Sequence, residues 1–156
     1  MGTRTALLLA GMLAGSFTAS SASAQDFQAQ LWDASISGDT VAIAQALDGG
    51  AKIDSLDTRT NRNGRRALNW AAYNNRGPAL KLLIARGANL NLSNNTGFTP
   101  VHHAAEAGAA DATSILLAAG ADITIANAAG MLPVDTARER GNAAVVALLE
   151  APSTKP

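Results

Sequence analysis

The dipeptide Gly-Ala stands at positions 50/51, 87/88 and 120/121, each time after an apolar run with helical spacing. The later two pairs are 33 residues apart and the earlier two 37. Upstream, Ala71, Ala104 and Ala137 keep the 33-residue step, and Ala34 precedes Ala71 by 37. One unit is therefore written four times, with four extra residues between the first copy and the second. A period of this length restricts the chain to a stack of small supersecondary units. Each unit is too small to bury its apolar face alone, so neighbours must bury it for one another.

The third copy shows what a unit is. Thr99 can accept from the free amides of a helix start, and Pro100 suits the first helical position because its missing N–H costs nothing there. Val101, Ala104 and Ala105 then share one side of a helix, where the alanines let a paired helix approach closely. Gly108 ends that helix, Ile115, Leu116 and Ala119 continue an apolar stripe, and Gly120 suits the left-handed position at a helix C-terminus. The segments TGFTPVHHAAEAG (96–108) and ILLAAGAD (115–122) resemble the ankyrin repeat, whose signature is a turn, T-P-L-H-x-A-A, a glycine, L-L and G-A-D. The resemblance covers about residues 31–150. It implies an all-α ankyrin-repeat solenoid of about four stacked helix-turn-helix units with finger loops.

The second copy keeps the register through Leu68, Ala71 and Ala72, and Asn75 takes the place of Gly108 because asparagine tolerates positive φ. Pro78 opens its second helix, and Leu80, Leu83 and Ile84 supply the core face. Arg66, Ala67 and Asn69 replace the Thr, Pro and His of the signature, so its helix start must be held in another way. The outer copies read as ends. Leu31 and Ala34 lead into Val41, Ile43 and Leu47 without a preceding turn motif, and Glu150 stands where the third copy has the apolar Leu117.

Arg4, the apolar run 6–14 and the small-residue pattern Ala22-Ser23-Ala24 read as a secretory signal of an exported bacterial protein, cleaved before Gln25. The run is too short to span a bilayer, so no membrane insertion is expected after cleavage. The expected organisation is a signal peptide (1–24), a repeat domain (25–150) with a short lead-in at 25–30, and a disordered tail (151–156). The absence of cysteine removes disulfides, thiol nucleophiles and lipid-modified cysteine, and places an exported domain more readily in a bacterial periplasm than among disulfide-rich extracellular modules; the expected location is periplasmic or secreted. Twelve basic residues balance twelve acidic ones, so no global field favours nucleic acid.

Catalytic, cofactor and metal sites are not expected. His102 and His103 are neighbours pointing about 100° apart on a helix and cannot readily share an ion. The resemblance assigns His102 to hydrogen bonding between turns. Ser35, Ser93 and Ser114 have no histidine at a motif spacing, and Asp39, Asp111 and Glu106 read as helix-start and surface charges. What stands out is an Arg-rich first finger, DSLDTRTNRNG (54–64), with Arg59, Arg62, Arg65 and Arg66 in and beside it. As a charge run it reads equally as a solvated loop.

The resemblance implies partner contacts from finger tips and from variable positions of each first helix. The candidate partner-binding residues are Arg59, Arg62, Arg65, Arg66, Trp70, Tyr73, Asn74, Phe98, His103 and Glu106. Trp, Tyr and Arg are the side chains that dominate interface energetics. Packing of Trp70 on His103 is the structural alternative. The function expected is a monomeric module that binds a protein. An inhibitor or immunity protein for a toxin or enzyme, or an envelope stress-protection factor, is the alternative.

Overall fold

The computed structural model describes residues 23–151. Among them are the helices α1 (Ala24–Ser37), α2 (Thr40–Asp48), α3 (Ala67–Tyr73), α4 (Gly77–Ala85), α5 (Pro100–Ala107), α6 (Ala110–Ala118), α7 (Pro133–Glu139) and α8 (Ala143–Glu150), and no strand. Successive helices pair into four units. The first helices α1, α3, α5 and α7 pack side by side in one row, and α2, α4, α6 and α8 form a second row behind them.

The starts of α1, α2, α3, α5 and α7 are held by bonds between residues three apart. Thr99 accepts from the His102 amide at 3.4 Å, and the Thr99 amide donates to His102 Nδ1 at 3.2 Å. Asp39 opens α2 by accepting from the Ala42 amide at 3.0 Å. The turns between paired helices need positive φ, which Gly108 takes at 68° and Asn75 at 53°. Asn75 does more than tolerate it. Its Oδ1 accepts from the Ala112 amide at 2.9 Å and so caps α6 of the next unit.

The core runs the length of the stack through Leu31, Ile43, Leu68, Leu80, Leu83, Val101, Leu116 and Val145. Ala71, Ala104 and Ala137 are fully buried, as close packing between first helices requires. Two expected core residues face water. Val41 is 65% exposed because it sits two residues from buried Ile43, on nearly the opposite side of α2. Ala119 is exposed because α6 ends at Ala118, and its buried stripe is Ala112, Thr113 and Leu116.

The lead-in expected at 25–30 is helical instead. Ser23 caps α1 in a reciprocal pair with Asp26, and the Phe27 ring lies so close over Gly49 that a Cβ there would meet it at 2.6 Å. Gln28 grips the backbone of Lys52 at both ends of its amide, at 2.8 and 3.2 Å. The expected cleavage point after Ala24 thus falls in the first turn of α1, and residues 1–22 lie outside the described residues, as does the expected tail beyond Ala151.

Fingers are joined laterally by similar links. Asp54 accepts from the Asn89 amide at 3.1 Å, and Asn91 accepts from the Asp122 amide at 2.9 Å. At the tips, the amides of Asn95 and Ala128 donate to the carbonyls of Asn63 and Thr96, both at 3.1 Å. These bonds set the fingers in a row beside the first helices.

Candidate functional site

Three buried residues, Asp57, Asn94 and Asn127, hold equivalent places at the bases of the finger turns. Asn94 Oδ1 accepts from the amides of Thr96 and Phe98, and Asn127 Oδ1 from those of Ala129 and Met131, so each side chain templates its own turn. The amides of Asn94 and Asn127 donate to the carbonyls four residues on, Phe98 and Met131, at 2.9 Å. Asp57 donates instead to Arg65, eight residues on, at 3.1 Å. The four inserted residues therefore lie inside this one turn. Asn61 and Asn63, at φ 64° and 53°, let it double back.

Asp57 brings a charge where the other units have a neutral amide. Its side chain is fully buried, and Arg59 from the enlarged loop meets it with two bonds of 2.8 Å. Trp70 Nε1 donates to the same carboxylate at 3.2 Å. Burial pushes the Asp57 carboxyl up, but the Arg59 bonds and charge outweigh it and hold it below the usual aspartate value. The second η nitrogen of Arg59 reaches Asp33 of α1 at 2.8 Å, and its guanidinium lies 5.2 Å from the Trp32 ring. Arg59 thus belongs to the scaffold.

Trp70, fixed from below by Asp57, carries two more guanidiniums. Arg62 lies 5.4 Å and Arg65 4.8 Å from its ring centroid, and Arg65 also lies 4.4 Å from that of Tyr73. Arg65 and Arg140 approach the two oxygens of Glu106 at 3.6 and 3.1 Å. Behind Glu106, His103 is 1% exposed, its Nδ1 3.6 Å from the carboxylate and its ring flanked by Phe98 at 5.5 Å and Tyr73 at 6.2 Å. Neither His103 ring nitrogen has a hydrogen-bond partner among the described residues.

Of the candidates, Arg62, Arg65, Trp70, Tyr73, Phe98, His103 and Glu106 come together. Trp70, at 6% exposure, supports the cluster from beneath, and Tyr73 and Phe98, not Trp70, pack on His103. Glu106 lies near the C-terminal end of α5 at the centre of an ion-pair network. Arg66 points elsewhere: its guanidinium donates to the carbonyls of Asp54, at 2.8 Å, and Ser93, tying two fingers together. Asn74 turns back to donate to the Trp70 carbonyl at 2.8 Å. Arg140 was missed, although it stands 66 residues, two units, after Asn74.

The buried histidine makes the domain acid-sensitive. Burial above all, with Arg65 adding to it and Glu106 opposing, pushes His103 down to about 4 from 6.5. Between these values the unfolded chain binds a proton that the folded one refuses, so stability is full above 6.5 and is lost as pH falls toward about 4. The expected loss from neutral pH to about pH 5 is roughly 2 kcal/mol. His102 is lowered by burial too and acts in the same direction. Denaturation midpoints across this range should fall less steeply in His103→Phe. An unchanged slope would place the acid sensitivity elsewhere.

The family profile for ankyrin repeats, in three copies, matches residues 31–127. This chain belongs to the ankyrin-repeat family. No curated protein matches it. The fourth ankyrin unit, α7 with α8, continues the stack past the matched segment and ends on the exposed pair Arg138 and Glu150. The ankyrin histidine His102 bridges units, its Nε2 3.0 Å from the Met131 carbonyl. In unit two Asn69 takes over that bridge: its Oδ1 accepts from the Arg66 amide at 3.0 Å and its Nδ2 donates to the Phe98 carbonyl at 3.3 Å. The departures from the signature at 66 and 69 therefore leave the unit junction intact. Ankyrin repeats are protein-binding modules, typically without enzymatic activity. Among the described residues no helix is long and apolar enough to cross a membrane, and no group of three or more His, Asp or Glu gathers as for a metal ion.

Proposed function

We propose that this ankyrin domain acts after export, in the periplasm or outside the cell, and holds a protein partner against the first helices and fingers of units two and three. The observation that carries the reading is Tyr73, 36% exposed at the end of α3 and bracketed by Arg65. An exposed tyrosine beside ordered arginines is the combination that anchors interfaces, because little side-chain freedom remains to be lost on binding. Around it Arg62, Phe98 and Glu106 complete the patch, with Arg140 at its edge. Export is supported by Arg4, the apolar run and the Ala22-Ser23-Ala24 pattern.

A photo-crosslinking residue placed at 73 tests the contact in the cells that make the protein, with Lys81 of the second helix row as the control position. The expected result is a discrete protein adduct from 73 and none from 81. Equal labelling at both, or none at 73, would remove the patch. N-terminal sequencing of the same purified chain should start at Gln25, and a chain that keeps its first residues would sink the export half of the reading.

A further inference from the structure

We infer that the partner offers this patch an Asp- or Glu-rich segment, one of whose carboxylates is gripped by Arg62 and Arg65 above the Trp70 ring. The inference rests on the partner-binding reading and names the chemistry of that partner. All twelve Asp and Glu side chains of the protein lie among the described residues, and none comes within ion-pair distance of Arg62. Arg59, one loop turn away, shows the contrast, since its charge is met by both Asp57 and Asp33.

Two like charges are held over one indole, and among the described residues only Arg65 has a carboxylate in reach. That carboxylate, Glu106, stands 3.6 Å from Arg65 and is shared with Arg140. Two guanidiniums thus share a single carboxylate while Arg62 has none in reach, and Arg65 Nε, buried, has no hydrogen-bond partner among the described residues. Stacking on Trp70 fixes the Arg62 and Arg65 guanidiniums before anything binds, which lowers the entropy lost on closing an ion pair. A guanidinium already partly withdrawn from water also gains more from a carboxylate than an exposed one does.

The same surroundings exclude other anions. A phosphate dianion would sit close to Glu106 and be repelled, whereas a carboxylate brings only one charge. An extended nucleic-acid backbone would also meet exposed Glu139, one unit on from Glu106. A peptide segment alone can place a carboxylate on the arginines and an apolar side chain on Tyr73.

The test follows the indole N–H of Trp70 by NMR in the full chain, with that of Trp32 as internal reference. The probes are a hexaglutamate peptide, a hexaglutamine peptide and inorganic phosphate. Hexaglutamate is expected to shift the Trp70 signal, with weaker affinity as salt is added, and hexaglutamine is not. Arg62→Gln should weaken the peptide about tenfold with an unchanged melting temperature, and Arg62→Lys should weaken it less. The inference is overturned if hexaglutamine or phosphate shifts Trp70 as strongly as hexaglutamate, or if Arg62→Gln binds as the parent does. A protein crosslinked from position 73 in a domain that ignores hexaglutamate would keep the docking face and remove the acidic partner.

Discussion

Asp57→Ala is expected to destabilise the domain by about 3 kcal/mol, the low end of the range for breaking a buried ion pair. The low end applies because Arg59 keeps Asp33 as a partner and is itself 32% exposed on its side chain. The substitution removes the acceptor for the Arg59 amide and guanidinium and for the Trp70 indole, so a buried N–H loses its only bond and the enlarged turn loses its template. Asp57→Asn should cost only about 1 kcal/mol, because Asn94 and Asn127 show that an amide can template the same turn. Urea midpoints of the two variants decide the matter. Equal losses, or an alanine variant within about 0.5 kcal/mol of the parent, would mean that the Arg-rich loop is not anchored by Asp57.

Leu116→Ala is expected to cost about 2 to 5 kcal/mol, since Leu116 is fully buried in the last turn of α6 and its removal leaves a cavity that stacked helices close only partly. Ala104→Leu should cost about 1 to 3 kcal/mol for the opposite reason, because Ala104 is fully buried at the close approach of first helices. The two variants probe the same unit through under-filling and over-filling. Thermal and urea unfolding should agree on both losses. A Leu116→Ala variant with the parent's midpoint would show that α6 is not held as described.

These effects bear on function because the proposed binding patch is built on the scaffold that they disturb. Tyr73 and Arg62 can be altered at the surface, but Arg65 cannot. Its side chain is 16% exposed between Trp70, Tyr73 and Glu106, so replacing Arg62, Arg65 and Tyr73 together would mix a loss of folding with a loss of binding.

The number of units and helix starts such as those at Asp39 and Thr99 were legible in the chain because their causes are local, whereas the start of α1 at Ser23 was read as part of a cleaved segment. A cap acts over three residues, as from Thr99 to His102, and an apolar stripe repeats every three or four. Counting alone located the four inserted residues between units one and two. What counting could not show is how the four arginines beside them divide. Arg59 is claimed by Asp33, 26 residues away in α1, and Arg66 by the carbonyl of Ser93, 27 residues along, while Arg65 shares Glu106 from the next unit. Among the described residues Arg62 is left with an aromatic ring and no carboxylate. In the sequence the four look alike, because charge compensation depends on distance through space. Only the stacking of units brings some carboxylates and carbonyls within about 4 Å of a guanidinium and leaves others out of reach.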